Sequence, residues 1–463
     1  MRIEKDTLGE VQVPDDALYG AQTQRAVENY PVSGLRAHPA FIRAFVLLKK
    51  AAALANRDLG VLDSTLADAI VTACDRVLHD DALRGQFVVD VFQAGAGTSF
   101  NMNCNEVLAN LANQALGRAL GEYQPVHPND HVNMSQSTND VFPAAIRIAV
   151  LLLLHDLTVA LDQLGAVLAA KGDEFGEVIK SGRTHLQDAV PITLGQEFSA
   201  YGAAVRRARH LLCDAADELR ILGIGGTATG TGINTPRGYR HAVIAHLRTL
   251  TSLDLTSAED LREAMQSQLA VAAVSGALRN LALELTRIAN DLRLLASGPH
   301  TGLAEIVLPS VQPGSSIMPG KVNPSLLECL NQICFHVIGA DTAVAFAVQA
   351  GQLELNVMMP LMAFEVLFSI EILKNFLPIV TAKCIRGIEA DAKRSEAYYI
   401  SSPSLATALN PLIGYARAAE IAKESATSGI PIPELLRQKK LLSEEEIARI
   451  FTPEFLAGQA DRT

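Results

Sequence analysis

Apolar residues recur at helical spacing along much of this chain, and the pattern predicts a mainly helical protein. The longest example lies between Ser257 and Gly298 and predicts one continuous helix with a core-facing seam. The seam positions alternate steps of three and four residues: Ala264, Ser267, Val271, Val274, Leu278, Leu281, Leu285, Ile288, Leu292 and Leu295. A second face of this helix is also apolar, through Ala272, Ala273, Ala277, Ala282 and Leu283. Two apolar faces predict a position at the centre of a bundle or of a subunit interface.

Breakers and capping residues delimit the other elements. Gly60 ends a predicted helix over 41–59, and Glu10 to Val13 is predicted as a short strand. Asn139 and Asp140 are predicted to cap a helix that has Pro143 in its first turn and runs towards Gly172. Further helices are predicted over 194–222, 324–349, 360–389 and 404–427. The fold class is therefore all-α in the main, in three regions: 1–138 (mixed helical), 139–393 (central bundle of very long helices) and 394–463 (small helical).

Composition excludes several classes of protein. The chain has 463 residues, of which 49% are hydrophobic, so it can bury a large core. Its formal net charge is −11 and it has no basic run, which argues against nucleic acid as a partner. The six cysteines show no CxxC spacing and are expected to be reduced, as in a cytoplasmic protein. The start, "MRIEKDTLGE", lacks the apolar segment of a secretion signal. The most apolar run is broken by His155, Asp156 and Asp162, which favours a buried helix over a membrane span.

Four polar, glycine-containing segments interrupt the helices. They are "GAGTSFNMNCNE" (95–106), "HPNDHVNMSQSTND" (127–140), "SGRTHLQDAVPITLGQE" (181–197) and "GSSIMPGKVNP" (314–324). Any one of them can be explained as helix caps and turns. Together they supply one histidine, one lysine and many neutral donors: Thr98, Ser137, Thr138, Asn139, Thr184, His185, Lys321 and Asn323. That set suits a small anion with several carboxylates, bound without a metal or cofactor.

Other chemistries find less support in the sequence. His127 and His131 have no Cys or acidic partner at metal-ligand spacing, so a zinc site is not predicted. The glycine-rich stretch 223–232 lacks the strand-then-helix context of a dinucleotide loop. There is also no GxSxG motif and no motif that pairs two acids.

The segment "GSSIMPGKVNP" resembles the signature loop of the aspartase/fumarase superfamily, homotetrameric lyases that release fumarate by elimination across a C–C bond. "HPNDHVN", "SQSTND", "GRTHLQDA" and "LGQEF" also match that family at its spacing, so the resemblance covers essentially the whole chain. It implies a cytoplasmic homotetramer in which three subunits contribute to each active site. The expected ligands are small dicarboxylates, with neither nucleic acid nor membrane as a partner.

The resemblance also implies roles for individual residues. Ser315 would be the general base that removes a proton from the carbon beside a carboxylate, which leaves an aci-carboxylate. His185 would be a second catalytic residue and would pair with Glu328. The residues implied in substrate binding are Thr98, Ser137, Thr138, Asn139, Thr184, Lys321 and Asn323, with Glu328, Ser316 and Met318 in support.

Small variations within the motifs bear on the substrate. "GAGTSFNMN" and "SQSTND" resemble the aspartase form and favour release of ammonia from L-aspartate. "TLGEVQVP" and Gly320 are equally typical of fumarases, so hydration of fumarate is an alternative, and an inactive helical scaffold is a third. Met134, His300 and Met359 depart from the family pattern and leave room for a modified aspartate.

Overall fold

The computed structural model describes residues 1–458, and helices dominate it, as the sequence predicts. The helices are α1 Ala21–Asn29, α2 Pro39–Asp58, α3 Ser64–His79, α4 Thr98–Ala115, α5 Thr138–Glu174, α6 Leu194–Asp217, α7 Tyr239–Thr251, α8 Leu261–Gln266, α9 Leu269–Leu295, α10 Ser325–Gln349, α11 Met359–Lys383, α12 Ala392–Ser401, α13 Asn410–Ile413, α14 Tyr415–Ser428, α15 Ile432–Gln438, α16 Glu444–Ile450 and α17 Pro453–Leu456. The mainly all-α fold class is confirmed.

Short strands form four two-stranded sheets within the described residues. The strands are β1 Arg2–Asp6, β2 Gly9–Val13, β3 Ile179–Thr184, β4 Gln187–Thr193, β5 Ile221–Leu222, β6 Thr256–Ser257, β7 Ile306–Val307 and β8 Glu389–Ala390. The pairs β1–β2, β3–β4 and β7–β8 are antiparallel, and β5–β6 is parallel. The β3–β4 hairpin occupies a segment for which the sequence predicted no strands.

The chain divides into two compact units. The first comprises Met1–Leu157, His210–Asn280 and Phe335–Leu373, and the second comprises Thr158–Arg209, Leu281–Cys334 and Lys374–Thr463. The division of the chain into the three regions given above stays a prediction from the sequence.

The predicted helix from Ser257 to Gly298 is interrupted, which corrects that prediction. Ser257 lies in β6, and the side chain of Asp260, rather than of Ser257, accepts the N–H that caps α8. A break at Ser267 and Gln268 then separates α8 from α9. Each seam position from Val271 to Leu295 is nevertheless buried, as predicted. On the second face Ala277 and Ala282 are buried, whereas Leu283 is 49% exposed in the single chain.

The predicted ends of two other helices also shift. Helix α5 begins at Thr138 because Ser137 is its cap: the Ser137 hydroxyl accepts the Asn139 N–H at 3.2 Å. Pro143 therefore lies in the second turn rather than the first. In the last region, 404–427 is not one helix, since Gly414 at φ +78° separates α13 from α14.

Four phenylalanines pack α2, α4 and α5 together in the first unit. Phe41 and Phe45 of α2 each lie 5.1 Å from the ring of Phe100, and Phe142 lies 4.9 Å from Phe41. All four are at most 3% exposed. Such rings contribute large buried areas, so this cluster fixes α2, α4 and α5 against one another. The polar residues that these three helices carry are thereby held in place.

Three helices (α5, α9 and α10) are long and apolar enough, by length and composition alone, to cross a membrane. The apolar window of α5 is 72% buried inside the folded chain, which accounts for its apolar character without a bilayer. All six cysteines are free thiols, and Cys74, Cys104, Cys334 and Cys384 are buried.

Candidate active site

The segment 314–324 forms a closed loop between β7 and α10. The N–H of Gly314 donates to the carbonyl of Lys321 at 2.8 Å, and the Asn323 amide donates to the carbonyl of Gly314 at 2.7 Å. A Cβ at Gly314 would lie 2.6 Å from that Lys321 oxygen, so only glycine fits. Gly320 turns the chain at φ +81°. The breakers noted in the sequence therefore close this loop on itself.

Two backbone N–H groups converge on the hydroxyl of Ser315. The Ile317 N–H donates to Ser315 Oγ at 3.2 Å, and the Met318 N–H donates to it at 3.0 Å. Such donors stabilise an oxygen that carries negative charge, and they require no rearrangement to do so. The side chains of Ile317, Met318 and Ser316 are exposed, so the contribution of Met318 seen here comes from its backbone.

Lys321 and Asn323 form a pair within the same loop. The Lys321 ammonium donates to Asn323 Oδ1 at 2.7 Å. Since the other end of that amide binds Gly314, both polar atoms of the Asn323 side chain act within the loop. Lys321 is exposed, and its ammonium carries three N–H donors, which leaves donors for an anion.

Thr184 and His185 lie at the tip of the β3–β4 hairpin. Thr184 pairs with Gln187, so His185 and Leu186 are the two turn residues, at φ +56° and +58°. Non-glycine residues in this region cost of order 1 kcal/mol or more each, and such strain occurs preferentially at functional sites. His185 is exposed at the tip.

A buried cluster of charges holds β3 along its length, from Lys180 near the base of the hairpin to Arg183 beside the turn. Arg183 of β3 donates to both carboxylate oxygens of Glu305, at 2.9 and 3.0 Å. The Lys180 ammonium lies 3.4 Å from Glu305 and 3.1 Å from Glu197. Glu305 is fully buried and Lys180 is 1% exposed. Burial raises the pKa of the Glu197 carboxyl, and the neighbouring Lys180 charge opposes that shift. Sequence reasoning did not single out Arg183 or Glu305.

Glu328 has a different partner in the single chain. Its carboxylate lies 3.9 Å from the Arg293 guanidinium, and both side chains are partly exposed. The pairing of His185 with Glu328 therefore stays a prediction.

In the first unit, the start of α5 borders a cavity of about 470 Å³. Ser137 and Thr138 line it, together with Asn101, Met102, Asn129, Asn133, Met134, Ser135, Gln136, Thr227, Ala228, Ile233 and Asn234. The Asn101 amide donates to Thr138 Oγ1 at 3.0 Å, and the Asn139 amide donates to the Ala228 carbonyl at 2.9 Å. The N-terminus of a long helix favours an anion here.

Thr98 lies on the same helix as Asn101. It is the first residue of α4, exposed, and it follows Gly97 at φ +83°. It does not belong to the lining of the 470 Å³ cavity. The structure thus assembles Ser137, Thr138 and Asn139 in the first unit, and Ser315, Lys321 and Asn323 in the second.

The glycine-rich stretch 223–232 has a role that the sequence did not reveal. Asp140 accepts the N–H groups of Gly225 and Thr227 at 3.0 and 2.9 Å, which fixes this stretch beside the cavity. Asp140 is fully buried, and burial raises the pKa of its carboxyl to about 6. The sequence identified Asp140 only as a helix cap.

The three departures from the family pattern lie in different surroundings. Met134 lines the 470 Å³ cavity, and its carbonyl accepts the Asn56 amide at 3.0 Å. Met359 is completely buried at the start of α11, where an apolar side chain suits the position. His300 is exposed. Of the three, Met134 is the one that contacts the candidate site.

Comparison with known proteins identifies the family of this chain. Two family profiles match the chain: Lyase over residues 9–339 and Fumarase C C-terminus over residues 405–458. An aspartate ammonia-lyase of Helicobacter pylori is 48% identical over 98% of this chain and 97% of its own length. A fumarate lyase:delta crystallin from Brucella melitensis superposes with a TM-score of 0.95 at 49% identity, over 99% of both chains. A class II fumarase from Schistosoma mansoni superposes with a TM-score of 0.93 at 36% identity, over 98% of this chain and 99% of its own. The chain therefore belongs to the aspartase/fumarase superfamily and is an enzyme of the lyase family.

Proposed function

We propose that this enzyme eliminates ammonia from L-aspartate to give fumarate, reversibly, as a cytoplasmic homotetramer. The observation that carries the proposal is the pair of N–H groups on Ser315 Oγ. A neutral serine hydroxyl is too weak a base to remove a proton from carbon. Two oriented donors lower the free energy of its alkoxide, and one such donor contributes roughly 3 kcal/mol to stabilising an oxyanion in other enzymes.

The reaction proceeds in two steps. The Ser315 alkoxide removes a proton from the carbon beside one carboxylate, whose two oxygens then carry the charge of an aci-carboxylate. That electron pair forms the C=C bond as the C–N bond breaks, so ammonia leaves and fumarate remains. Lys321 supplies a cation for a carboxylate. Further donors, which the family resemblance assigns to segments from three subunits of the tetramer, are Thr184, His185, Thr98, Ser137, Thr138 and Asn139.

Sequence similarity supports aspartate as the substrate over malate. Aspartate ammonia-lyases from Helicobacter pylori, Pseudomonas aeruginosa and Escherichia coli are 46–49% identical to this chain, whereas the class II fumarase from Schistosoma mansoni is 36% identical. The Thr98–Ser99 and Ser137–Thr138 variants favour the same choice. Met134 in the cavity lining is where a modified aspartate would be accommodated.

The test is the appearance of fumarate, followed by its ultraviolet absorbance, with the full-length protein. L-aspartate, L-malate and an N-substituted aspartate are supplied separately. Turnover of L-aspartate is expected, and turnover of L-malate alone would instead establish a fumarase. Turnover of only the N-substituted compound would identify a modified aspartate as the substrate, and no turnover of any of them would indicate a scaffold.

A further inference from the structure

Lys49 is a completely buried lysine in the first unit that the mechanism above does not use. It lies on α2, and its ammonium donates to Asn101 Oδ1 at 2.7 Å and to Asn133 Oδ1 at 2.9 Å. Burying a charge of this kind is costly unless it is well paired. Both of its hydrogen-bond partners, Asn101 and Asn133, line the 470 Å³ cavity.

The ammonium determines which way the Asn101 amide faces. An ammonium has only donors, so the amide must direct its oxygen towards Lys49. Its NH₂ group then faces Thr138 and donates to Oγ1 at 3.0 Å. Thr138 Oγ1 is consequently an acceptor in this contact, and its own proton is free to point elsewhere. Within residues 1–458 the structure records no acceptor for that proton, and Thr138 lines the cavity.

We propose that Lys49 is a positioning residue whose ammonium, through Asn101, directs the Thr138 hydroxyl proton into the cavity to bind a carboxylate of the substrate. This inference rests on the proposed function, since it assigns Thr138 to a dicarboxylate. Loss of the ammonium charge removes the constraint. A neutral amine has a lone pair and accepts from the amide NH₂, so Asn101 is free to rotate and accept the Thr138 proton itself.

The groups around Lys49 make this constraint sensitive to pH. Burial lowers the pKa of Lys49 to about 8, and the charge of Asp140 opposes that shift. The titratable groups that face Lys49 are Cys104 of α4, Asp140 of α5 and Cys74 of α3. Burial raises the pKa of Cys104 to about 12 and that of Cys74 well above its ordinary value, while that of Asp140 is about 6. Of these groups, Lys49 alone changes charge near pH 8.

Succinate is a suitable probe because it has two carboxylates and no amino group to titrate. Its binding to wild type, measured by calorimetry, is expected to weaken roughly tenfold between about pH 7 and pH 9, as the protonated fraction of Lys49 falls. Lys49→Met should weaken binding roughly ten- to hundredfold at pH 7 and abolish the pH dependence. For turnover of aspartate, KM should rise by a similar factor while kcat changes less than about threefold. The reason is that the Thr138 contact binds the carboxylate equally in the ground state and in the transition state.

The matched control is Lys50→Met. Lys50 is the next residue on α2, partly exposed, and paired with Asp75 at 2.6 Å. This variant should bind succinate within about twofold of wild type and keep the pH dependence. Thr138→Val, which keeps Lys49, should bind weakly and without pH dependence, so the inference stays testable even if Lys49→Met fails to fold.

Two results would overturn the inference: succinate affinity in wild type that does not change between these pH values, or a Lys49→Met variant that binds like Lys50→Met. Because these measurements need binding alone, they are separate from the test of turnover. A wild-type enzyme that binds succinate but leaves aspartate unchanged would refute the proposed reaction and not the role of Lys49.

Discussion

Arg183 and Glu305 form a two-point ion pair, with nitrogen-to-oxygen distances of 2.9 and 3.0 Å, two residues before His185 in the turn of the β3–β4 hairpin. The pair is 122 residues apart in sequence, and its carboxylate is fully buried. A planar guanidinium that meets a carboxylate at two points fixes orientation as well as distance. The end of β3 that enters the strained turn is therefore held by a rigid contact.

Glu305→Gln should destabilise the second unit. The substitution removes the carboxylate that pairs with Arg183 and leaves the buried Lys180 ammonium with Glu197 alone, and breaking a buried pair costs about 3 kcal/mol or more. Chemical denaturation should show this loss in the free energy of unfolding. Glu284→Gln, which removes a partly exposed partner of Arg287, should cost less than about 1 kcal/mol. Equal costs for the two variants would contradict a stabilising role for the cluster.

Ser315→Ala should abolish turnover of aspartate while helical content and oligomeric state remain as in wild type. The substitution removes the oxygen that the Ile317 and Met318 N–H groups contact and leaves the loop closure through Gly314 intact. Steady-state kinetics and circular dichroism together provide the measurement. Ser310→Ala, in the exposed segment that precedes the loop, is the control and should retain wild-type rates. Substantial activity in Ser315→Ala would remove this serine from the mechanism.

Lys321→Met should lower kcat/KM for aspartate by on the order of 100-fold or more. The variant keeps much of the side-chain stem and deletes the cation in a protein whose formal net charge is −11. Lys393→Met, at an exposed lysine of α12, should change kcat/KM little, like most exposed substitutions. A loss below about threefold in Lys321→Met would mean that this lysine is an ordinary solvated charge.

Asp140 should make the stability of the wild-type protein fall as pH rises through about 6. Burial raises the pKa of this carboxyl from 3.8 to about 6, so between these values the folded state binds more protons than the unfolded state. The stabilisation is complete below the unfolded pKa and is lost through the folded one, a change of about 3 kcal/mol.

Denaturation of wild type and of Asp140→Asn at about pH 4 and pH 7 measures this contribution. The free energy of unfolding of wild type relative to the variant should fall over that interval. Asp162→Asn, at an exposed position of α5, serves as the control and should follow wild type at both pH values. A difference between wild type and Asp140→Asn that stays constant with pH would show that Asp140 does not titrate in this range.

Much of this protein is determined by local sequence. The long helices follow from apolar spacing, and the closed serine loop follows from Gly314, Gly320 and the prolines, because helical periodicity and backbone restriction act over a few residues. The motif residues in the serine loop and at the start of α5 were identified instead through the resemblance to the lyase family, and each of those motifs lies within about ten residues of sequence. The interruption at Ser267 and Gln268 was not identified, because the apolar spacing continues unbroken across it.

Tertiary structure alone decided which charges are buried and what they hold. In the sequence, Lys49 is simply one of two adjacent lysines on a helix. In the structure it is fully buried against Asn101, 52 residues away, whereas Lys50 is partly exposed and paired with Asp75. Asp140 likewise binds the glycine-rich stretch 85 residues away, and Arg183 meets Glu305 across 122 residues. The cost of burying a charge depends on partners that the fold brings from distant parts of the chain, and no local pattern records which residues those will be.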